Sequence, residues 1–278
     1  MLLAVHAEAI AKQSHALDAL INGKMAEASK GQTEFSDVLE DTFICFCQFA
    51  YTGDYETPTF TYYPKLEESN ALSFSTLLQL PLGVKETSIS VLTPAEDVLE
   101  APEWGITVLA EANEPSLLLK ALYPSKGSIL RQQFNDRTYN IQTIEAARRA
   151  RCGIRENESL KEDYTPIFLG HAQLYVFAEK WGIDSLKTLT LYKLHKTLTS
   201  FKIYEAQRGD VVKLVEFAYS NENTPDLDDG VDALKELVTY YVTCKLEILI
   251  GALKFLALLE QPRHFSCNLI RMMIKQIE

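Results

Sequence analysis

The side chains best suited to chemistry in this 278-residue chain are five histidines and five cysteines, with the hydroxyls and carboxylates that would have to stand beside them. Cys45 and Cys47 lie one residue apart in a helical segment, so their thiols leave on different faces. No second Cys/His pair is near enough in sequence to complete the tetrahedral set that a zinc ion takes. Core packing is the expected use for both. His171 and His195 fall on two successive helical segments without a matching carboxylate pattern, which argues against a metal site. Surface or capping positions are expected for them. His6 ends a short apolar run and is read as a core or capping histidine rather than a general base. No Gly-x-Ser-x-Gly elbow, Gly-rich phosphate loop or His-Glu-x-x-His helix occurs. No catalytic residue, cofactor or metal ligand is therefore assigned, and the chain is not read as an enzyme. An enzyme of unfamiliar arrangement is the least favoured alternative, because catalytic groups meet in space rather than in sequence.

The elements that would position these residues can be traced from periodicity. Ile10, Ser14, Leu17 and Ile21 are spaced for one amphipathic helix over Ala7 to Ile21, stopped by Asn22-Gly23. Thr33 to Ser36 is short enough for a strand. Glu40-Asp41 then open a helix whose Phe43, Phe46, Phe49 and Ala50 form one aromatic stripe, ending in the turn Tyr51-Thr52-Gly53. From Glu56 to about Lys161 the periodicity fades, and seven of the ten prolines fall there. A partly ordered insertion is expected, holding one helix over Ile141 to Arg151 that ends in Arg148, Arg149 and Arg151. Those three are read as a solvated basic helix end, with a nuclear address or docking patch as the other use.

Regular spacing returns at Pro166, with Leu169, Leu174, Phe177, Ala178 and Trp181 on one helix and Gly182 as its cap. Asp184 and Asp210 are placed as caps of two further helices, and a loop over Asn221 to Gly230 leads to a fourth from about Val231. Residues 246–259 and 266–277 supply two more. Short polar connections make these helices antiparallel neighbours.

Composition bounds the function. Acidic residues outnumber basic ones, 38 to 27, and the net charge of -11 repels phosphate backbones and anionic membranes, so neither nucleic acid nor membrane is an expected partner. With 47% hydrophobic residues the chain can bury a sizeable core. Scattered cysteines favour a reducing compartment, hence an intracellular place, nucleus or cytoplasm. No apolar run reaches membrane-spanning length, and the N-terminus lacks the basic and apolar regions of a signal peptide.

Taken together, Val5-His6, Ser14, Met25-Ala26-Glu27, Phe35, Asp41, the aromatic helix to Phe49 and Tyr51-Thr52-Gly53 resemble the BTB (POZ) family in order and spacing. The run His171-Ala172-Gln173-Leu174-Tyr175 with Ala178, Trp181, Ile183 and Leu186 resembles the helical extension of fungal members. The resemblance implies an α+β, predominantly helical fold: a partial BTB unit over residues 1–57, an insertion or linker over 58–161 and a C-terminal helical domain over 162–278. Only four residues precede Val5, where the family has a β-hairpin that also supports swapped homodimers. The sheet is thus truncated, and a homodimer lacks the strands that support it. Either the reading frame begins late or the domain is a reduced form. The implied function is protein–protein interaction through Met25, Ala26, Glu27, Phe35 and Tyr51. A substrate adaptor for a cullin ubiquitin ligase comes first, because some members reach a cullin through a hydrophobic-x-Glu triplet. A transcription-associated regulator is the alternative.

Overall fold

The computed structural model describes residues 3–24, 30–63, 126–141, 154–220, 224, 230–260 and 264–274. The expected helix over Ile141 to Arg151, the triplet Met25-Ala26-Glu27 and most of the loop Asn221 to Gly230 lie outside them. In chain order the elements are α1 (Ala7–Ala11), α2 (His15–Asn22), α3 (Glu40–Thr52), β1 (Thr61–Tyr62), α4 (Lys126–Asn135), β2 (Glu162–Asp163), α5 (Thr165–Lys180), α6 (Asp184–Ser200), α7 (Arg208–Ala218), α8 (Ala233–Cys244), α9 (Leu246–Leu249), α10 (Leu253–Glu260) and α11 (His264–Ile274). The architecture is predominantly helical. Among the described residues the only sheet is the antiparallel pair β1–β2, with Thr61 opposite Asp163 and Tyr62 opposite Glu162. None of the described helices is long and apolar enough to cross a membrane.

Helices α5 and α6 form a central antiparallel hairpin and are buried nearly all round. Phe168, Ala172 and Tyr175 of α5, with Leu191, Leu194 and Leu198 of α6, face a large core shared with α4, α7, α8, α10 and α11. The opposite side, Leu174, Phe177 and Ala178 with Leu186, Leu189 and Tyr192, closes a second core with α1, α2 and α3. A helix pair that is apolar on two sides belongs in the middle of a structure. The segments before Pro64 and after Tyr123 thereby pack as one unit.

The aromatic stripe of α3 lies in that second core. Phe46 is fully buried, its ring 4.7 Å from that of Phe177, and Phe49 is buried beside it. Phe43 is half-buried against Phe35 and Phe46. Glu40 and Asp41 sit in the first turn of α3, where the helix dipole favours negative charge. Gly53 ends the helix at φ 75°, a left-handed conformation that costs glycine little. Gly182 does the same after α5 at φ 65°.

Several expectations are corrected. The single helix over Ala7 to Ile21 is two, because Ser14 leaves the helical conformation to cap α2, its hydroxyl accepting from the Leu17 amide at 3.2 Å. Thr33 to Ser36 forms no strand. Asp184 and Asp210 lie inside the first turns of their helices, and neither caps by side chain. Asp232 is the capping carboxylate of α8, accepting from the amides of Leu234 and Lys235. His171 and His195, expected at the surface, are completely buried in the central hairpin.

Candidate functional site

The N-terminal signature residues are joined by local bonds. The Tyr51 hydroxyl accepts from the His6 backbone amide at 2.8 Å and lies 2.9 Å from the His6 Nδ1, which ties the start of α1 to the end of α3. The Thr52 hydroxyl lies 2.7 Å from the carbonyls of both Gln48 and Asp54, so its one hydrogen has an acceptor on either side of the turn that Gly53 completes. Val5 and Tyr51 are exposed, Tyr51 by 50%. Of the residues expected to meet a partner, Phe35 packs half-buried against Phe43, Phe177 and Trp181, so only part of its ring faces solvent. His6 is exposed rather than in a core.

Beyond Gly53 the chain turns onto the central hairpin, and there the structure brings together groups that periodicity could not single out. Lys193 of α6 is 1% exposed, and its ammonium pairs with Asp54 at 2.7 Å, donates to the Tyr55 carbonyl and lies 4.2 Å from the Tyr55 ring centroid. The Tyr55 hydroxyl is 2.7 Å from Nδ1 of His171, and Nε2 of that ring has no partner. Burial, with Lys193 nearby, holds His171 down at about 3. His195 is held to about 4, chiefly by burial; its Nε2 meets the Phe134 carbonyl at 2.6 Å, while Nδ1 is unpartnered. Both imidazoles are therefore neutral wedges in the core. A charged ring would need a second acceptor that neither site offers.

A second polar group joins β1, α5 and α7. The Asp210 carboxylate is buried and accepts from the Tyr63 hydroxyl at 2.6 Å, the Tyr164 amide at 3.0 Å and the Thr165 hydroxyl at 3.0 Å. Burial pushes its carboxyl up to about 6, the three bonds opposing that rise. Asp210 thus serves the N-terminus of α5 from another helix, a role invisible in its own local sequence.

Between these two groups opens a cleft of about 680 Å³. It is lined by the segment Asp54 to Phe60, by Tyr164 and Ile167 of the α5 region, by Thr197 of α6 and by Arg155. The segment Asp54 to Phe60 lies close on α5 because residue 170 is glycine: a Cβ there would fall 2.5 Å from Cγ of Pro58. Arg155 stacks 4.3 Å from the Phe60 ring centroid and pairs with buried Glu162 at 2.5 Å. Thr57 lines the cleft with a buried hydroxyl that has no partner.

Burial pushes the Cys45 thiol up to about 11 and raises that of Cys47, so neither is a thiolate at neutral pH. Among the described residues no group of three or more His, Cys, Asp or Glu could hold a metal ion. The sequence reading missed Lys193, Asp210, Arg155 and the Tyr55–His171 pair. The one local hint was the proline and threonine of Thr57-Pro58-Thr59, which mark a segment unable to continue α3. Compared with family models, with curated proteins and with solved structures, the chain matches none.

Proposed function

We propose that the chain is a non-catalytic protein–protein interaction module built on a BTB (POZ)-like N-terminal unit with a truncated sheet. Its first role is that of a substrate adaptor for a cullin-type ubiquitin ligase. The observation that carries the reading is the clasp between His6 and Tyr51, 45 residues apart, which are the two ends of the family's sequence pattern. Ser14 as the cap of α2 and Gly53 as the left-handed end of α3 support it, since both have the structural jobs such a pattern requires. Leu3, Val5, Leu39 and Tyr51 are exposed on this unit, and apolar side chains in water are where a partner gains most by binding. The buried polar groups of the hairpin are engaged in holding the unit to the C-terminal helices, a structural rather than catalytic use.

The test is binding of the full chain to a purified cullin N-terminal region. Met25→Asp or Glu27→Lys is expected to weaken that binding by roughly tenfold or more, the scale of an interface hot spot, with an unchanged melting temperature. Full affinity in both variants, or no binding by the unaltered chain, refutes the adaptor role. Nuclear enrichment without a cullin contact would instead favour the transcription-associated regulator.

A further inference from the structure

The outermost helices of the C-terminal core carry apolar side chains on two sides, and the adaptor reading uses only the inner one. α10 packs on α7 and α11 on α8. Phe255 and Leu258 of α10, with Phe265 and Leu269 of α11, are buried in the same core. The two helices are neighbours: the Phe255 and Phe265 rings lie 6.2 Å apart, and the Ser266 hydroxyl donates to the Leu259 carbonyl at 2.9 Å. Because both turn inward to one core, their outer faces point away from it together.

Polar residues are the usual occupants of such outer faces. Here Leu253 is 83% and Ile270 56% exposed, and Leu256, Ala257, Cys267 and Ile274 are exposed with them. On α11 the stripe Cys267, Ile270, Ile274 has the three-then-four spacing of a helix seam, on the side opposite Phe265 and Leu269. Taking roughly 180 Å² for a fully exposed Leu or Ile and less for Ala and Cys, the six expose about 500 Å² per copy, toward the upper end for the largest apolar patch of a monomer. Two such faces set against each other bury about 1,000 Å² before any rim is counted, which is where specific interfaces begin.

The charges on this surface complement a copy of itself. Lys254 and Glu260 are exposed near the two ends of α10 and have no ion pair among the described residues. A two-fold axis across α10 runs it antiparallel to its copy and sets each Lys254 toward the other copy's Glu260. A uniformly acidic or basic partner would satisfy one end only.

We propose that the chain forms a two-fold dimer through the outer faces of α10 and α11, the two helix pairs meeting as a four-helix layer. The apolar stripes supply affinity, and the oppositely charged ends of α10 fix the orientation. This interface needs none of the N-terminal strands, leaves the Met25–Tyr51 surface free and does not depend on the BTB resemblance.

Sedimentation velocity of the full chain tests this over about 1 to 100 μM, where interfaces of this modest size begin to associate. Reducing buffer keeps a disulfide through exposed Cys267 from imitating the contact. A species of twice the 31.4 kDa chain mass is expected, growing with concentration. Leu253→Glu and Ile270→Glu alter side chains that the folded chain leaves exposed, and each is expected to weaken the dimer at least tenfold. Leu39→Glu, at a site 60% exposed on the N-terminal unit, is expected to leave it unchanged. Lys254→Glu and Glu260→Lys are each expected to weaken self-association and to dimerise again when mixed, since only the mixed pair restores opposite signs at both ends. The proposal is overturned if the two glutamate variants on α10 and α11 sediment as the unaltered chain does, or if the two charge variants stay monomeric when mixed. A chain that is monomeric throughout also overturns it, and binding of that monomer to phosphatidylserine vesicles would assign the face to lipid instead.

Discussion

Acid should destabilise this protein through two buried histidines, and a buried aspartate should resist the effect. For each histidine the unfolded chain takes up a proton near the ordinary value of 6.5, while the folded chain does so only near 3 for His171 and near 4 for His195. The unfolded state therefore holds more protons throughout that window, and stability falls as pH falls through it. Asp210 has the opposite sign: its folded carboxyl takes up a proton near 6 and its unfolded one near 3.8, so between those values acidification favours the folded state. Moving from about pH 7 to about pH 5, each histidine removes about 2 kcal/mol and Asp210 returns about 1 kcal/mol, for a net loss of about 3 kcal/mol. Urea unfolding followed by circular dichroism at the two pH values measures this directly.

His171→Gln keeps an acceptor for Tyr55, and His195→Gln keeps a donor for the Phe134 carbonyl. Each replacement should shrink the pH-dependent loss by about 2 kcal/mol, whatever it does to stability at neutral pH. Asp210→Asn should enlarge the loss to about 4 kcal/mol. A double histidine variant with the pH dependence of the unaltered protein would refute the argument, because it would mean that neither ring is kept neutral by its burial.

Two further outcomes follow from the core. Lys193→Met retains the aliphatic stem but leaves Asp54 facing a vacated site; breaking such a buried pair should cost about 3–5 kcal/mol in urea unfolding, and an Asp54→Asn background should recover part of that loss. If the two single losses simply add, the pairing inferred from their 2.7 Å contact carries no coupling. Phe46→Ala should cost about 3–5 kcal/mol and lower one shared transition, because Phe46 joins α3 to Phe177 of the central hairpin. Separate melting of the N-terminal helices and the hairpin, seen as two transitions by calorimetry, would contradict a common unit.

Much of the helical skeleton was legible in the sequence. The stripe from Phe43 to Phe49, the stops at Gly53 and Gly182 and the apolar spacing after Pro166 are local properties, set by the 3.6-residue period and by which residues accept a left-handed backbone. Hydrophobic periodicity also spoke for a continuous helix through Ser14, but a serine hydroxyl that bonds an amide three residues ahead competes with the helix it interrupts. The strand expected at Thr33 to Ser36 failed differently: without a partner to fill its ladder, a short extended run is only a loop.

What tertiary structure alone decided is the fate of the polar side chains. A histidine, a lysine or an aspartate within a helix gives no local sign of whether it meets water or another element. His171 and His195 are held neutral because remote segments bury them, and Lys193 is paired and Asp210 binds a hydroxyl 147 residues away because their partners come from remote segments. The cleft has the same origin, since the residues that line it belong to stretches far apart in the chain. Periodicity reports which face of an element is apolar; only packing determines which buried polar groups find partners, and the cost of leaving them unpaired makes that choice specific.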